Sequence, residues 1–416
     1  MSEPITVLAG KRLLLGVTGS IACYKAAELT SRLTQAGALV DVILTAAAAH
    51  FVTPLTFQAL SGRPVYTDLW NAPESGAGLP THIAHVGLAE GADLLMIAPA
   101  TADSLARLAG GFASDLLGVT ALASRAPLLL APAMDGGMYA HPAVQANVRI
   151  LRERGAVVIE PEEGRFASGL SGRGRLPEAQ TLLGAARWAL GQSTGALRGR
   201  QVVVTAGGTR EPVDPVRFLG NRSSGRQGYA LAQAAIDAGA QVTLISSARG
   251  LPAPYGAALI AVETAAQMRD AVLAAVDGAD ALVMAAAVAD FRPETAAAHK
   301  IKKTDESGQT LELRLGRTAD ILAAVRVQRE RTSYPRVVVG FAAESQELLA
   351  NARAKLERKG LDLLAANDIS AADAGFEVET NRVVLLDALG HEEPLALMSK
   401  AAVAERIIAR VAALLG

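Results

Sequence analysis

Cysteine is nearly missing from this chain: Cys23 is the only one in 416 residues. No disulfide can form within the polypeptide, the pattern of a reducing cytoplasm. Aromatic residues are scarce at 4%, and the formal net charge is -1 with no long run of one sign. A nucleic-acid groove needs a basic track and stacking platforms, so nucleic acid is not an expected partner. No uninterrupted apolar run reaches the length of a bilayer span. The N-terminus carries Glu3 early and Lys11-Arg12 late, the reverse of a secretory signal. The expectation is a cytoplasmic protein with no membrane partner. Solenoid-length repeats are absent too.

What the chain does have is apolar bulk, 50% hydrophobic against 19% charged residues, enough for cores built from Ala, Leu and Val. Its length suits two or three domains. Short apolar runs alternate with helical patterns. Strands are expected at Leu13–Val17, Val40–Thr45, Leu94–Ala98, Leu128–Ala131 and Val157–Ile159, with helices at Ile21–Gln35, Asp103–Ala109, Asp115–Ser124 and Pro142–Arg154. A second series places strands at Val202–Thr205, Val242–Ile245, Ala281–Ala285, Val337–Val339 and Leu361–Ala365. Its helices fall at Gly228–Ala238, Ala265–Val276, Asp320–Arg329 and Ser345–Arg358. The fold class is α/β, with two doubly wound Rossmann-like domains. The small polar stretch Gly191 to Gly195 reads as a flexible boundary, giving domains 1–191 and 192–416. Leu311 to Leu315 alternates strictly and predicts a β-hairpin arm. Late strands are expected at Glu377–Glu379 and Val383–Asp387, with Thr380-Asn381 as the turn.

The densest chemistry begins at Gly207-Gly208-Thr209-Arg210, followed by Arg217 and then Asn221-Arg222-Ser223-Ser224-Gly225. A strand feeds this segment and a helix follows it. Backbone N–H groups, hydroxyls and arginines gathered there make an anion site. A similar unit opens the chain, where Gly16-Val17-Thr18-Gly19-Ser20-Ile21 joins strand to helix. Two such units imply two active sites. Pro99-Ala100-Thr101-Ala102 ends a strand, where open sheets bind ligands, although Thr101 serves equally as a helix cap. His85 stands near His82, and a lone histidine is more often structural than catalytic. Lys300-Ile301-Lys302-Lys303 suits a phosphate group or a solvated hairpin tip. Lys355 and Lys359 lie on one helical face, where an anion would offset their repulsion.

In this order, the Gly19 to Lys25 segment, Thr45, His85, Pro99 to Ala102 and Pro132-Ala133-Met134-Asp135-Gly136-Gly137-Met138-Tyr139 resemble the flavin-containing cysteine decarboxylases. The second half resembles phosphopantothenate–cysteine ligase. Over nearly the whole chain the pattern is similar to the bifunctional decarboxylase–ligase family of coenzyme A biosynthesis. The resemblance implies FMN held by Gly19, Ser20, Ile21, Thr45, Thr101 and Ala102. It implies oxidation of a cysteinyl thiol toward a thioaldehyde, loss of carbon dioxide, and return of a hydride. His85 would be base or orienting group. The motif ending in Asp135 would grip the departing carboxylate, and a flap residue would supply a proton.

The chain departs from that family at two of these positions. Asp135 replaces an asparagine, and a carboxylate facing the substrate's carboxylate is repulsive unless one holds a proton. Ser168 replaces the flap cysteine, and a hydroxyl is a far weaker acid than a thiol. An active ligase fused to an impaired, flavin-binding decarboxylase domain is the alternative. For the ligase, the resemblance implies CTP with Mg²⁺ and an acyl cytidylate intermediate. Asn221 and Arg217 would meet phosphopantothenate. Met284, Ala285, Ala286, Asp290, Lys300, Ala319, Asp320, Ile321, Leu322, Phe341, Lys355 and Lys359 would form the CTP site. The metal ligands are unassigned. Homo-oligomers are implied, trimeric through the flavin domain and dimeric through the ligase domain.

Overall fold

The computed structural model describes residues 5–70, 81, 83–302, 311–344, 348–368 and 380–416. The chain forms two compact units, Met1–Ser193 and Thr194–Gly416.

The first unit contains β1 Arg12–Val17, α1 Cys23–Gln35, β2 Leu39–Leu44, α2 Pro54–Ser61, β3 Val65–Tyr66, α3 Ala84–Glu90, β4 Leu94–Ala100, α4 Ala102–Gly110, α5 Leu116–Ala123, β5 Leu128–Pro132, α6 Gly136–Ala140, α7 Pro142–Glu153, β6 Val157–Val158, β7 Glu162–Arg165, β8 Ser171–Arg175 and α8 Ala179–Thr194. Six strands make a parallel sheet in the order β3-β2-β1-β4-β5-β6. Strand order reverses between β1 and β4, which opens a crevice at their carboxyl ends. One face buries Leu14, Ile43, Ile97 and Leu130 with Leu105, Leu117 and Val148 from the helices. Leu13, Leu15, Val17 and Val42 on alternate positions are buried as well. A sheet covered on both faces needs near-continuous apolar strands, which is what the sequence supplies. β7 and β8 form a separate antiparallel hairpin.

The second unit contains β9 Gln201–Ala206, β10 Arg210–Pro212, β11 Phe218–Gly220, α9 Arg226–Asp237, β12 Gln241–Ser246, β13 Ala257–Ala261, α10 Ala265–Ala275, β14 Ala281–Met284, β15 Phe291–Pro293, β16 Leu315–Arg317, α11 Ile321–Thr332, β17 Val337–Glu344, α12 Leu348–Lys359, β18 Leu363–Asp368, β19 Thr380–Asn381, β20 Val383–Asp387, β21 Glu392–Pro394, β22 Met398–Ser399 and α13 Lys400–Leu415. Its main sheet runs β13-β12-β9-β14-β17-β18-β20-β21, parallel as far as β18 and antiparallel beyond. The reversal here lies between β9 and β14. Val203, Ile245, Leu282 and Val338 pack with Met268, Val272, Val325 and Leu356 from α10, α11 and α12. Helices α9 and α13 pack on each other and bury Leu231, Ile236, Val403, Ile407 and Val411.

Three local expectations are corrected. Gln192 to Thr194 are the last turn of α8 rather than a flexible linker. The burial of Leu183, Ala186, Ala189 and Leu190 carries that helix through its polar end. The hairpin arm is shorter than the alternation implied: β16 begins only at Leu315 and pairs with β15, and Leu311, Leu313 and Leu315 are all exposed. Thr380-Asn381 is not a turn but a short strand paired with Met398–Ser399. Glu377–Glu379, His82, Lys303 and Ser345 lie outside the described residues.

Candidate active sites

In the first unit, the β1–α1 turn is stitched to the β4–α4 turn by buried Thr18. Its hydroxyl donates to Pro99 O at 2.7 Å and accepts from Thr101 N at 3.0 Å. Thr101 caps α4, accepting from Ser104 N at 3.3 Å, and its hydroxyl lies 2.9 Å from Ser104 Oγ. Thr45 Oγ1 accepts from Ala48 N at 3.3 Å. The capping function foreseen for Thr101 is real, and its hydroxyl also lies 3.4 Å from Thr18 Oγ1. A cavity of about 700 Å³ opens there, lined by Gly19, Ser20, Thr45, Thr101 and Ala102 among others. At Gly19 an added Cβ would sit 2.5 Å from the Ala47 Cβ, so only glycine lets the turn close on this loop. A backbone cradle with hydroxyl donors at a sheet's switch point fits a phosphorylated cofactor such as FMN.

A second cavity of about 500 Å³ shares Ser20, Ala133 and Met134 with the first. Ile21, assigned with the cofactor residues, lines this one instead. The flap hairpin is fastened to the loop after β5. Met134 N donates to Gly174 O at 3.0 Å, and a Cβ on Gly174 would meet Met134 O at 2.2 Å. This folds Ser168 back onto Asp135. Ser168 Oγ donates to Asp135 Oδ2 at 2.9 Å, while Asp135 Oδ1 accepts from Gly137 N at 3.0 Å. The two positions that depart from the family pattern are thus one hydrogen-bonded pair. Lys25 is buried beside them, donating to Leu176 O at 3.0 Å and to Glu178 at 2.7 Å. That bond, joined by the lysine's charge, holds the Glu178 carboxyl below its usual range despite burial. His85 is half-buried on α3 and lines neither cavity. Cys23 is buried, its Sγ 3.1 Å from Thr18 O, and burial pushes the thiol up. It is a packing residue.

In the second unit, the Gly207–Thr209 turn is laced to the loop after β14. Ala287 N donates to Gly207 O at 2.8 Å, and Ala289 N to Thr209 Oγ1 at 2.9 Å. Asn221 Nδ2 donates to Val288 O at 3.0 Å, which brings the Asn221 loop over the same segment. A cavity of about 540 Å³ lies beside it. It is lined by Met284, Ala286, Asp290, Ala319, Asp320, Ile321, Leu322, Phe341, Lys355 and Lys359. Ala285 and Lys300 are not among its lining residues.

Lys300 is exposed, in a segment tied down by Asp214. That carboxylate accepts from Val216 N and Arg217 N at 2.8 Å each and from Ile301 N at 3.1 Å. Burial raises its pKa, but these bonds and the Arg217 charge outweigh it, leaving the carboxyl below its usual range. Arg217 also donates to Ile301 O at 3.1 Å. Asp320 caps α11 through Ala323 N at 3.0 Å and pairs with Lys359. Here too burial is outweighed, and the carboxyl is held low by Lys359, Ala323 N and Arg358.

Sequence reasoning missed Arg317, Thr318 and Arg358 in this cavity. Arg358 adjoins Lys359 in the chain, so the density of charge on α12 was the available signal. Among the described residues no group of three His, Cys, Asp or Glu could hold a metal ion, and no helix is long and apolar enough to cross a membrane.

Comparison with known proteins matches the same division. The Flavoprotein family matches residues 1–187, and the DNA/pantothenate metabolism flavoprotein C-terminal domain matches residues 197–415. The coenzyme A biosynthesis bifunctional protein of Bacillus subtilis (strain 168) is 47% identical over 410 residues, 98% of each chain. That of Mycobacterium tuberculosis (strain ATCC 25618 / H37Rv) is 48% identical over 408 residues, covering 96% of this chain and 95% of its own. That of Vibrio vulnificus (strain YJ016) is 44% identical over 410 residues, covering 98% and 99%. With full-length identity of this order and both domain families in sequence, the chain belongs to the family of coenzyme A biosynthesis bifunctional proteins.

Proposed function

We propose that the chain joins 4′-phosphopantothenate to cysteine with CTP and then decarboxylates the phosphopantothenoylcysteine formed to 4′-phosphopantetheine. The observation that carries this reading is the crevice at the second unit's switch point. Asn221 is fixed to Val288 at its edge, and Asp290, Phe341, Lys355 and Lys359 converge around it. In the ligase reaction the substrate carboxylate attacks the α-phosphate of CTP, giving an acyl cytidylate and pyrophosphate. Cysteine's amine then displaces CMP. Asn221 and Arg217 hold the acyl portion, and Lys300 offsets phosphate charge. Mg²⁺ arrives with the triphosphate, because phosphate-bound Mg²⁺ takes few protein ligands.

For the decarboxylase, FMN when bound supplies the two-electron chemistry that loss of carbon dioxide from a cysteinyl group requires. Gly19, Ser20, Thr45, Thr101 and Ala102 hold it, with Ile21 on the substrate side. His85 acts as base or orienting group. Asp135 and Ser168, joined to each other, close the substrate cavity and order the proton-carrying groups at the flap. Ile21, Tyr24, Trp70 and Met138 are exposed beside the first unit's cavities, a surface that another copy would cover. This supports assembly of a homo-oligomer through this unit; a trimer here and a dimer through the other unit are what the family resemblance adds. The reading places the protein in the cytoplasm.

The test is purified protein supplied with 4′-phosphopantothenate, CTP, cysteine and Mg²⁺. Carbon dioxide, CMP, pyrophosphate and 4′-phosphopantetheine are the expected products. Phosphopantothenoylcysteine accumulating without carbon dioxide would refute the decarboxylase half, and no turnover of CTP would refute the ligase half.

A further inference from the structure

The second unit's cavity holds four cationic side chains, Arg317, Lys355, Arg358 and Lys359, against two carboxylates, Asp290 and Asp320. The lysines are already engaged. Lys355 Nζ donates to Phe341 O at 2.8 Å, and Lys359 is paired with Asp320. Arg317 ends the exposed arm strand β16, and Arg358 sits in the last turn of α12. Both are exposed at the cavity, and among the described residues neither guanidinium forms an ion pair. A guanidinium is a planar five-donor group that matches phosphate oxygens in pairs. A nucleoside triphosphate carries more negative charge than one Mg²⁺ offsets. Lys355 and Lys359 have donors taken by Phe341 O and Asp320, and Arg358 lends Asp320 charge without a direct ion pair, so among the described residues the cavity's free guanidinium donors are those of Arg317 and Arg358.

We propose that Arg317 and Arg358 grip the β- and γ-phosphates of the nucleotide, and the pyrophosphate as it leaves. This rests on the reading of the cavity as a CTP site. The base and ribose are left to the rest of the cavity, so the arginines distinguish CTP from CMP.

The experiment is calorimetric titration of the full-length protein with Mg²⁺ and either CTP or CMP, for the wild type and for Arg317→Gln, Arg358→Gln and the double variant. Each single change is expected to weaken CTP roughly tenfold, about 1.4 kcal/mol, and CMP less than about twofold, as befits loss of a charge-assisted phosphate contact. CTP affinity unchanged in the double variant would overturn the proposal. So would equal weakening of CTP and CMP, which would show that the arginines shape the cavity or read the base. A wild type that binds neither nucleotide would bring down the CTP reading itself, and this inference with it.

Discussion

Replacing Gly208 with alanine should silence the ligase while leaving decarboxylation of supplied phosphopantothenoylcysteine intact. An added Cβ would stand 2.4 Å from Asn221 O, a backbone atom that no rotamer change can move aside. Ordinary contact begins near 3.4 Å, so the two backbones must separate by about 1 Å. The separation pulls at the hydrogen bond between Asn221 Nδ2 and Val288 O. Overpacking of this kind costs about 1–3 kcal/mol of stability, which a domain-sized unit can absorb and remain folded. A misplacement of about 1 Å at a reacting centre costs on the order of 10²-fold in rate. The assay measures pyrophosphate release and carbon dioxide release separately, with thermal unfolding as a check on folding. Ligase activity within about twofold of wild type would refute the reasoning, because it would show that Asn221 need not stay where the Gly208 turn holds it.

His85→Asn should abolish carbon dioxide release and spare pyrophosphate release, whereas Lys300→Gln should do the reverse. Equal loss of both activities in either variant would contradict separate sites. Ser168→Ala removes the donor to Asp135 and should slow decarboxylation roughly tenfold or more without weakening retention of FMN, read by the absorbance of the purified protein. Unchanged decarboxylation would remove the flap pair from the account. Asp214 and Asp387 both have folded-state pKa values below the unfolded value. For Asp387, burial is outweighed by hydrogen bonds from His391 and Leu389. A depressed carboxylate contributes stability above its unfolded pKa, about 3.9, and the contribution is lost as pH falls through the folded value. Thermal midpoints should therefore drop below about pH 4, less steeply in Asp387→Asn. A wild-type midpoint that is flat down to about pH 3 would contradict this.

The sheet cores were legible because strands buried on both faces read as apolar runs, as in Leu94–Ala100 and Ala281–Met284. The turn residues were legible because glycines, hydroxyls and arginines cluster where strands end. Alternation misled at Leu311 to Leu315, because exposed leucines at 52% and 42% alternate without a buried face. The helix α13 was unread although Val403, Ile407 and Val411 recur at spacing four. The mostly exposed strand β13 left no pattern. Asp135 and Ser168 were each found as departures, but their bond spans 33 residues. It depends on Gly174 admitting the flap hairpin against Met134 O, a closeness that only the folded backbone shows. The contacts of Lys355 with Phe341 O and of Lys359 with Asp320 span 14 and 39 residues, so which donors of the nucleotide cavity stay free likewise shows only in the fold.

The decisive step of the proposed ligase reaction is attack of the carboxylate on the α-phosphate of CTP. Protein mixed with 4′-phosphopantothenate and CTP labelled at the α- and γ-phosphates, with cysteine withheld, tests this directly. The predicted result is γ-label in pyrophosphate, α-label in a protein-bound acyl cytidylate, and release of that label as CMP only when cysteine is added. Release of CDP and inorganic phosphate would contradict it.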